Sequence, residues 1–477
     1  MNTKTNTNLS IMLVSGFLVK LLALFYKVIL VRLIGIKGIS YYQYILPVIM
    51  LFMGFADFAF PESITKLVAE NNAINKSNKN IIAKSILIGL IIDTIIILIM
   101  LIFIKKITPS VDMNLMYPIV LSTLIIPLVT INSIIKGYFQ GMNMIKYVAI
   151  SNMIEQITRI FSSISFLLVI SNIIISISSI ILSMIIGEGL SLIFSLFILR
   201  KKRTKLDFKD KCSKEILSLC IPSTINRSLY TVSNFLEPII FTKSLLRLGY
   251  PKENIVISYG MITGYVIPLL IMFSFTSISV SHIFMPKMAK KYKENNINQF
   301  NEILKKGLKY SFLLGLIPTI FLLSYPNMIM NILYGNTIGI RYLIYMAPIF
   351  LLYYLEPILH SAIIVINKSN LSLLINFIIC FIKLSSIYFL PLYFGIDGYT
   401  ISILISILLT VFSYIYIIKK STRLKFSLVK PLLYILINIL FILLVKENFY
   451  YAILSIIIYL LLFKIFYFTD IKSVNDD

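Results

Sequence analysis

The sequence predicts an all-α polytopic membrane protein, on three observations. Apolar residues make up 58% of the 477 and charged residues only 13%, against about 45–50% and 25% in soluble domains, and the mean hydropathy is +0.92. Runs of about twenty apolar residues, each able to cross a hydrocarbon core of about 30 Å, recur from end to end. Lys and Arg gather in alternate loops, as they do when one side of a membrane protein is cytoplasmic. A soluble domain and an enzyme with a single anchor are both excluded.

The apolar runs give about fourteen spans. They centre on residues 10–34, 42–65, 82–104, 115–135, 147–169, 173–199, 215–242, 258–284, 307–326, 341–366, 371–394, 397–418, 429–445 and 449–468. The join between the fifth and sixth, at Ser171-Asn172, is the least marked. With the N-terminus cytoplasmic, about 30 basic residues fall inside and about 8 outside. An even number of spans then puts both termini in the cytoplasm of a multi-pass protein of the cell membrane. The first apolar run lacks a small-residue cleavage site and stays as a span.

The longest charged stretch between spans, 200–214, divides the chain. We expect a first lobe of six spans at 1–199, a basic cytoplasmic linker at 200–214, and a second lobe at 215–418. Two further spans and a short tail then fill 419–477. The halves echo each other: Ile131–Phe161 overlays Leu355–Ser385 without a gap. Asn143 then falls on Asn367, Asn152 on Asn376 and Arg159 on Lys383. Parallel repeats of this kind place a substrate site between the halves near the midplane.

Ionisable residues inside spans carry the chemistry, because a central Lys or Arg costs about 2.5–3.5 kcal/mol to insert. Lys20 sits near the middle of the first span and Lys27 projects from nearly the same stripe seven residues on. Two ammonium groups there need an anionic cargo or water, or else neutralisation by acidic neighbours such as Asp57 and Glu62. Arg227, shortly after Pro222, can project into the same cavity or sit at the cytoplasmic interface. Glu155 and Arg159 have the spacing of an intrahelical ion pair, and with Lys383 they complete the cavity or lobe charges. Glu356 and His360 share that spacing; they form either an intrahelical hydrogen bond or a proton- or ion-coupling pair. The second His of a zinc helix is missing, so no metal site is expected.

The formal charge of +24 reads as cytoplasmic loops, not as a nucleic-acid face. Cys212, Cys220 and Cys380 have no metal or disulfide spacing. No Gly-rich nucleotide turn and no hydrolase constellation appears, so neither a cofactor nor an enzyme activity is expected.

These residues also resemble a known family. Ser15-Gly-Phe-Leu-Val-Lys20 and Arg32-Leu-Ile-Gly-Ile-Lys-Gly38 look like the opening of the stage V sporulation protein B group. Ser63-Ile-Thr-Lys-Leu-Val-Ala-Glu70 after Pro61, Lys136-Gly-Tyr-Phe-Gln-Gly141, and Ile154-Glu-Gln-Ile-Thr-Arg159 extend the likeness. The group belongs to the multidrug/oligosaccharidyl-lipid/polysaccharide exporter superfamily. The resemblance implies two six-helix lobes in a V, alternating access, and an undecaprenyl-diphosphate-linked saccharide as cargo for cell-wall, spore-cortex or polysaccharide synthesis. It implies a monomer in membrane lipid, with H+ or Na+ as a possible coupling ion. In the related lipid II flippase, a cavity arginine of the first span falls on Lys20 and one of the eighth falls near Met261, which is not basic. Lys20, Lys27 and Arg227 would therefore hold the diphosphate. The alternatives are a cation-coupled multidrug extruder, against which the basic first span argues, and a non-transporting scaffold for cell-wall synthesis.

Cysteine labelling from either side of the membrane checks the topology. Loops 200–214, 285–306 and 419–430 and both termini should react only from the cytoplasm. An external C-terminus would overturn the fourteen-span reading.

Overall fold

The computed structural model describes residues 3–73, 79–107, 115–201 and 213–423. These residues are helical almost throughout, and no strand occurs among them. The elements are α1 (Thr3–Asp57), α2 (Phe60–Ala73), α3 (Lys79–Ile107), α4 (Met116–Leu121), α5 (Ile125–Gly141), α6 (Ile145–Leu167) and α7 (Ile173–Lys201). They continue as α8 (Ser213–Arg247), α9 (Lys252–Gly260), α10 (Ile267–Ile271), α11 (Ser274–Lys293), α12 (Ile297–Ser324) and α13 (Pro326–Tyr334). The last are α14 (Ile340–Tyr353), α15 (Glu356–Val365), α16 (Ser369–Phe394) and α17 (Asp397–Thr422). The first twelve expected spans fall on these helices. The last two, 429–445 and 449–468, lie outside the described residues.

Helix is the only local answer to this composition, because hydrocarbon offers no partner for a backbone N–H or C=O. The exposed side chains fit that solvent. On α16, Leu374, Phe377, Ile378, Phe381 and Phe389 are exposed, and on α3 so are Leu90, Ile91, Ile95, Leu98 and Ile102. Buried hydroxyls bond their own helices: Ser183 donates to Ser179 O and Ser402 to Gly398 O, both at 2.7 Å.

The structure corrects several boundaries. The second expected span, 42–65, is interrupted, because α1 ends at Asp57 and Phe58 and Ala59 take left-handed φ of 44° and 48° before α2 begins. The eighth, 258–284, is two helical stretches that meet at Met272–Phe273. Its first stretch contains a π-helical turn, Met261–Val266. Pro268, lacking an N–H, leaves the Gly264 carbonyl without its helical donor just there. The join at Ser171-Asn172 is real: Asn172 Oδ1 accepts from the amides of Ile174 (3.0 Å) and Ile175 (3.3 Å) and starts α7.

The overlay of the halves reaches the backbone. Asn143 and Asn367 both take left-handed φ, 61° and 58°. The same hydrogen bonds turn the two loops: Asn143 N to Gln140 O and Met144 N to Phe139 O in one, Asn367 N to Ile364 O and Lys368 N to Ile363 O in the other. The same offset carries the start of α6 to that of α16 and the start of α7 to that of α17. Near the start of each half a second offset holds. Gly35 and Gly249 have φ of 64° and 79°, and at that spacing the break closed by Phe58 N to Phe55 O matches the one closed by Met272 N to Leu269 O.

By contact, the described residues of Met1–Gly264 and Cys380–Ser402 form one compact unit, and those of Tyr265–Ile379 and Ile403–Asp477 a second. In the first, α1 and α9 touch backbone to backbone. A Cβ on Gly260 would lie 2.1 Å from Ser40 Cα, and Ser40 Oγ donates to Ile257 O at 3.3 Å. Lys37 and Glu253 close the same contact at 2.7 Å. In the second unit, α15 packs on α11 through the Ser281–Ser361 hydroxyl pair at 2.5 Å, and Tyr354 donates to Leu270 O at 2.9 Å.

Gly260→Ala should therefore lower stability by about 1–3 kcal/mol through overpacking. Gly189→Ala, whose Cβ would meet nothing within 4 Å, should be neutral or stabilising, because Ala is the better helix former. Thermal unfolding of the detergent-purified variants checks the contrast.

Candidate functional site

The first unit collects most of the charge placed inside spans. Lys27 is half-buried on α1 and its Nζ donates to Thr263 O at 3.3 Å. Thr263 lies in the π-helical turn, a kind of irregularity frequent at functional sites. Among the described residues no carboxylate pairs with Lys27. Lys20 lies seven residues earlier on the same helix, and its side chain is outside the described residues.

Arg227 on α8 is brought to the break between α1 and α2. Its Nη1 lies 2.6 Å from Asp57 Oδ2 and 3.9 Å from Glu62 Oε1. Asp57 also accepts a short hydrogen bond from Ser133 Oγ on α5. Asp57 and Glu62, which sequence offered as neutralisers of the α1 lysines, thus pair with Arg227. Asp57 is largely buried while Arg227 stays half exposed, at 14% and 47% of the side chain, so the guanidinium keeps an open side.

The expected Glu155–Arg159 pair does not form. Glu155 instead takes Lys136 on α5, at 3.0 Å, and Arg159 donates to Gln156 Oε1 on its own helix. α6 is also packed closely on α7, where a Cβ on Gly187 would lie 2.8 Å from Glu155 O. Beside this pair Asn132 donates to Glu188 Oε2 (2.8 Å) and to Ser191 Oγ (2.9 Å), and Ser151 joins Ser191 at 2.7 Å. Three helices are stitched together by polar groups that are buried and bonded, as such groups must be in a low-dielectric interior.

Lys383 on α16 pairs with Glu237 on α8 at 2.5 Å, and Tyr399 donates to the other Glu237 oxygen at 3.2 Å. Arg159 and Lys383, overlaid by the repeat, sit on equivalent helices but hold different partners. In the second unit Glu356 and His360 lie on α15. Among the described residues they form no hydrogen bond with each other, and the His360 ring packs on Tyr414 at 5.9 Å between centroids. Tyr414 in turn donates to Asn376 Oδ1 at 2.9 Å. Asn132, Lys136, Tyr399 and Tyr414 escaped the sequence reading as site residues. The repeat could have flagged the first two, since its offset places them on Glu356 and His360.

Long broken helices carrying ion pairs inside apolar spans define a polytopic membrane protein with the fold of the multidrug/oligosaccharidyl-lipid/polysaccharide exporter superfamily. Solved structures agree. The lipid II flippase MurJ in an inward closed conformation superposes with a TM-score of 0.72 at 16% identity, over 96% of this chain and 99% of that one. An inward-facing multidrug resistance MATE transporter gives 0.68 at 15% identity, over 86% and 96%.

The chain belongs to the polysaccharide biosynthesis protein family, which matches residues 6–291. It is similar to stage V sporulation protein B of Bacillus subtilis (strain 168), with 26% identity over 399 residues, 80% of this chain and 76% of that protein. It is also similar to the capsular polysaccharide biosynthesis protein CapF of Staphylococcus aureus, at 28% identity over 38% of this chain and 48% of that protein. The likeness to the stage V sporulation protein B group read from Ser15–Lys20 and Lys136–Gly141 is thereby confirmed.

Removing one partner of a buried ion pair leaves an uncompensated charge and costs about 3–5 kcal/mol. Lys383→Met should therefore destabilise strongly, and Lys383→Met with Glu237→Gln should recover most of the loss. A double-mutant cycle of unfolding measurements in detergent reads the coupling.

Proposed function

We propose that this chain is a flippase that moves an undecaprenyl-diphosphate-linked oligosaccharide across the cytoplasmic membrane by alternating access. The observation that carries the reading is Lys27, a cation in a span whose one described partner is a carbonyl, in a chain of a polysaccharide biosynthesis family. An ammonium held only by a neutral carbonyl gains the attraction of an opposite charge when a diphosphate replaces that contact, and the gain is large at low dielectric.

In this reading Lys20 and Lys27 hold the diphosphate from α1. Arg227 adds a third contact when the anion competes with Asp57 and Glu62 for the guanidinium. The two six-span lobes, 1–199 and 215–418, rock about the cargo, and the lipid tail leaves through a lateral opening. H+ or Na+ supplies the coupling, with Glu356 and His360 as candidate carriers. The protein acts as a monomer with both termini in the cytoplasm. The basic character of α1 favours this reading over a multidrug extruder, whose cationic substrates would select acidic and aromatic contacts. A scaffold for cell-wall synthesis would leave the α1 lysines without a task.

The test is flipping of a labelled polyprenyl-diphosphate sugar by the purified protein in proteoliposomes, with inserted protein quantified in parallel. Loss of one charged hydrogen bond is worth about 1.5–3 kcal/mol, so Lys20→Ala should weaken cargo binding by about ten- to a hundredfold. Lys20→Arg should keep part of the activity, since the charge survives and the point-like geometry does not. Lys20→Glu should be worst. Wild-type rates in the Ala and Glu variants would overturn the assignment of Lys20. Transport of cationic drugs with no flipping would favour the extruder, and neither activity the scaffold.

A further inference from the structure

We propose that α8 and the last part of α1 wall a recess that takes the saccharide of the cargo. The proposal rests on the flippase reading and adds where the sugar sits. The two helices run antiparallel, because contacts that descend one climb the other. Tyr44 meets Thr242 at 2.8 Å. Gly54 faces Thr231, whose Cγ2 would lie 3.0 Å from a Cβ on that glycine. Asp57 meets Arg227 at 2.6 Å.

Between these contacts the packing opens. Cys220, Arg227, Asn234 and Phe241 follow one another at seven residues and so lie nearly on one line of α8. Cys220 and Phe241 are fully buried, whereas Arg227 and Asn234 between them are exposed. α1 repeats the pattern along Gln43, Met50 and Asp57: the outer two are largely buried, and Met50 is 45% exposed. Met50 and Asn234 each stand seven residues from the Asp57–Arg227 contact, so they lie level on the antiparallel pair. A face that is packed at both ends and open in the middle is a recess. The exposed apolar residues of α8, Ile221 and Ile225, fall on the other side of the helix, the side that suits lipid.

The lining of the recess selects its occupant. Tyr230, one turn beyond Arg227, presents a ring that is 52% exposed. Thr231 and Asn234 follow on α8, with Met50 across from them. Among the described residues nothing bonds the Asn234 amide. An acyl chain in the recess would leave that amide unsatisfied, which is costly away from water. A sugar ring answers both kinds of lining. Its C–H face is apolar and packs on an aromatic ring and a thioether. Its hydroxyls give and accept hydrogen bonds, and an amide does both. A few placed polar groups among aromatic and apolar ones are the usual make-up of a small-molecule site. From Arg227 to Asn234 the helix rises about 10 Å. A sugar joined to a phosphate at Arg227 therefore comes alongside Tyr230 and Asn234.

The experiment compares two probes on the full chain purified in detergent: undecaprenyl diphosphate, and the same lipid carrying a disaccharide. Wild type should bind the glycosylated lipid more tightly, and the ratio of the two affinities reads the saccharide site. Asn234→Ala and Tyr230→Leu should each shrink that ratio about three- to tenfold, the worth of a neutral hydrogen bond or a comparable contact. Tyr230→Phe, which keeps the ring, should keep the ratio. Arg227→Gln should weaken both lipids alike. Equal affinity of wild type for the two lipids overturns the saccharide site and leaves the flippase reading standing. A ratio that neither Asn234→Ala nor Tyr230→Leu changes does the same. Failure of wild type to bind either lipid overturns the flippase reading, and the saccharide site with it. Thermal unfolding checks that each variant is folded; where Asn234→Ala is not, Tyr230→Leu against Tyr230→Phe decides, and equal ratios in those two overturn the site.

Discussion

In a hydrocarbon solvent every polar group of the chain must find its partner inside the chain, and the rest of this structure follows from that constraint. It forces helix wherever the backbone is in lipid. It also makes each interruption of helix conspicuous, because an interruption frees carbonyls that must be bonded by something else. The π-helical turn at Met261–Val266 is met by Lys27, whose ammonium takes the Thr263 carbonyl. The break after Asp57 is met by Thr130, whose hydroxyl reaches Ala56 O. At these two irregular places a charged or hydroxyl side chain supplies the bond the helix does not.

The same constraint sorts the charges. Lys136 with Glu155 and Lys383 with Glu237 are mutually satisfied pairs joining two helices each. Their Coulomb gain is offset by desolvation, so they specify which helices meet more than they stabilise. Arg227 differs, since Asp57 is buried and the guanidinium is half open. Lys27 differs again, with no described carboxylate. The charges thus grade from sealed pairs to a half-open guanidinium to an ammonium whose one described partner is a carbonyl.

The class of fold was legible in the sequence because apolar length and loop charge are one-dimensional properties. Twelve expected spans fall on helices, and the overlay of Asn143 on Asn367 survives down to backbone hydrogen bonds. What escaped was set by three-dimensional packing. Glu155 and Arg159 have the spacing of an ion pair, but α5 presents Lys136 to Glu155 and wins. The break at Phe58-Ala59 has no Gly to announce it; Pro61 lies two residues beyond, at a position compatible with a helix start. Glu237 and Tyr399 are far apart in sequence, and nothing local marks them as partners of Lys383.

The repeat shows how one scaffold can carry two chemistries. Its offset lays Lys136 on His360, Asn132 on Glu356 and Arg159 on Lys383, at the same register of equivalent helices. In the first half those positions are closed by Glu155, Glu188 and Gln156. In the second, Glu237 closes only Lys383, while His360 packs on a tyrosine ring and Glu356 pairs with neither His360 nor a described cation. The turn at Asn143 and Asn367 and the helix starts around it depend on backbone geometry, so they tolerate this divergence of side chains. Conserving the bend while exchanging the charges lets one half be locked by ion pairs as the other keeps titratable groups in reserve. Two halves with matched backbone and unmatched charge can answer the same ligand or ion differently.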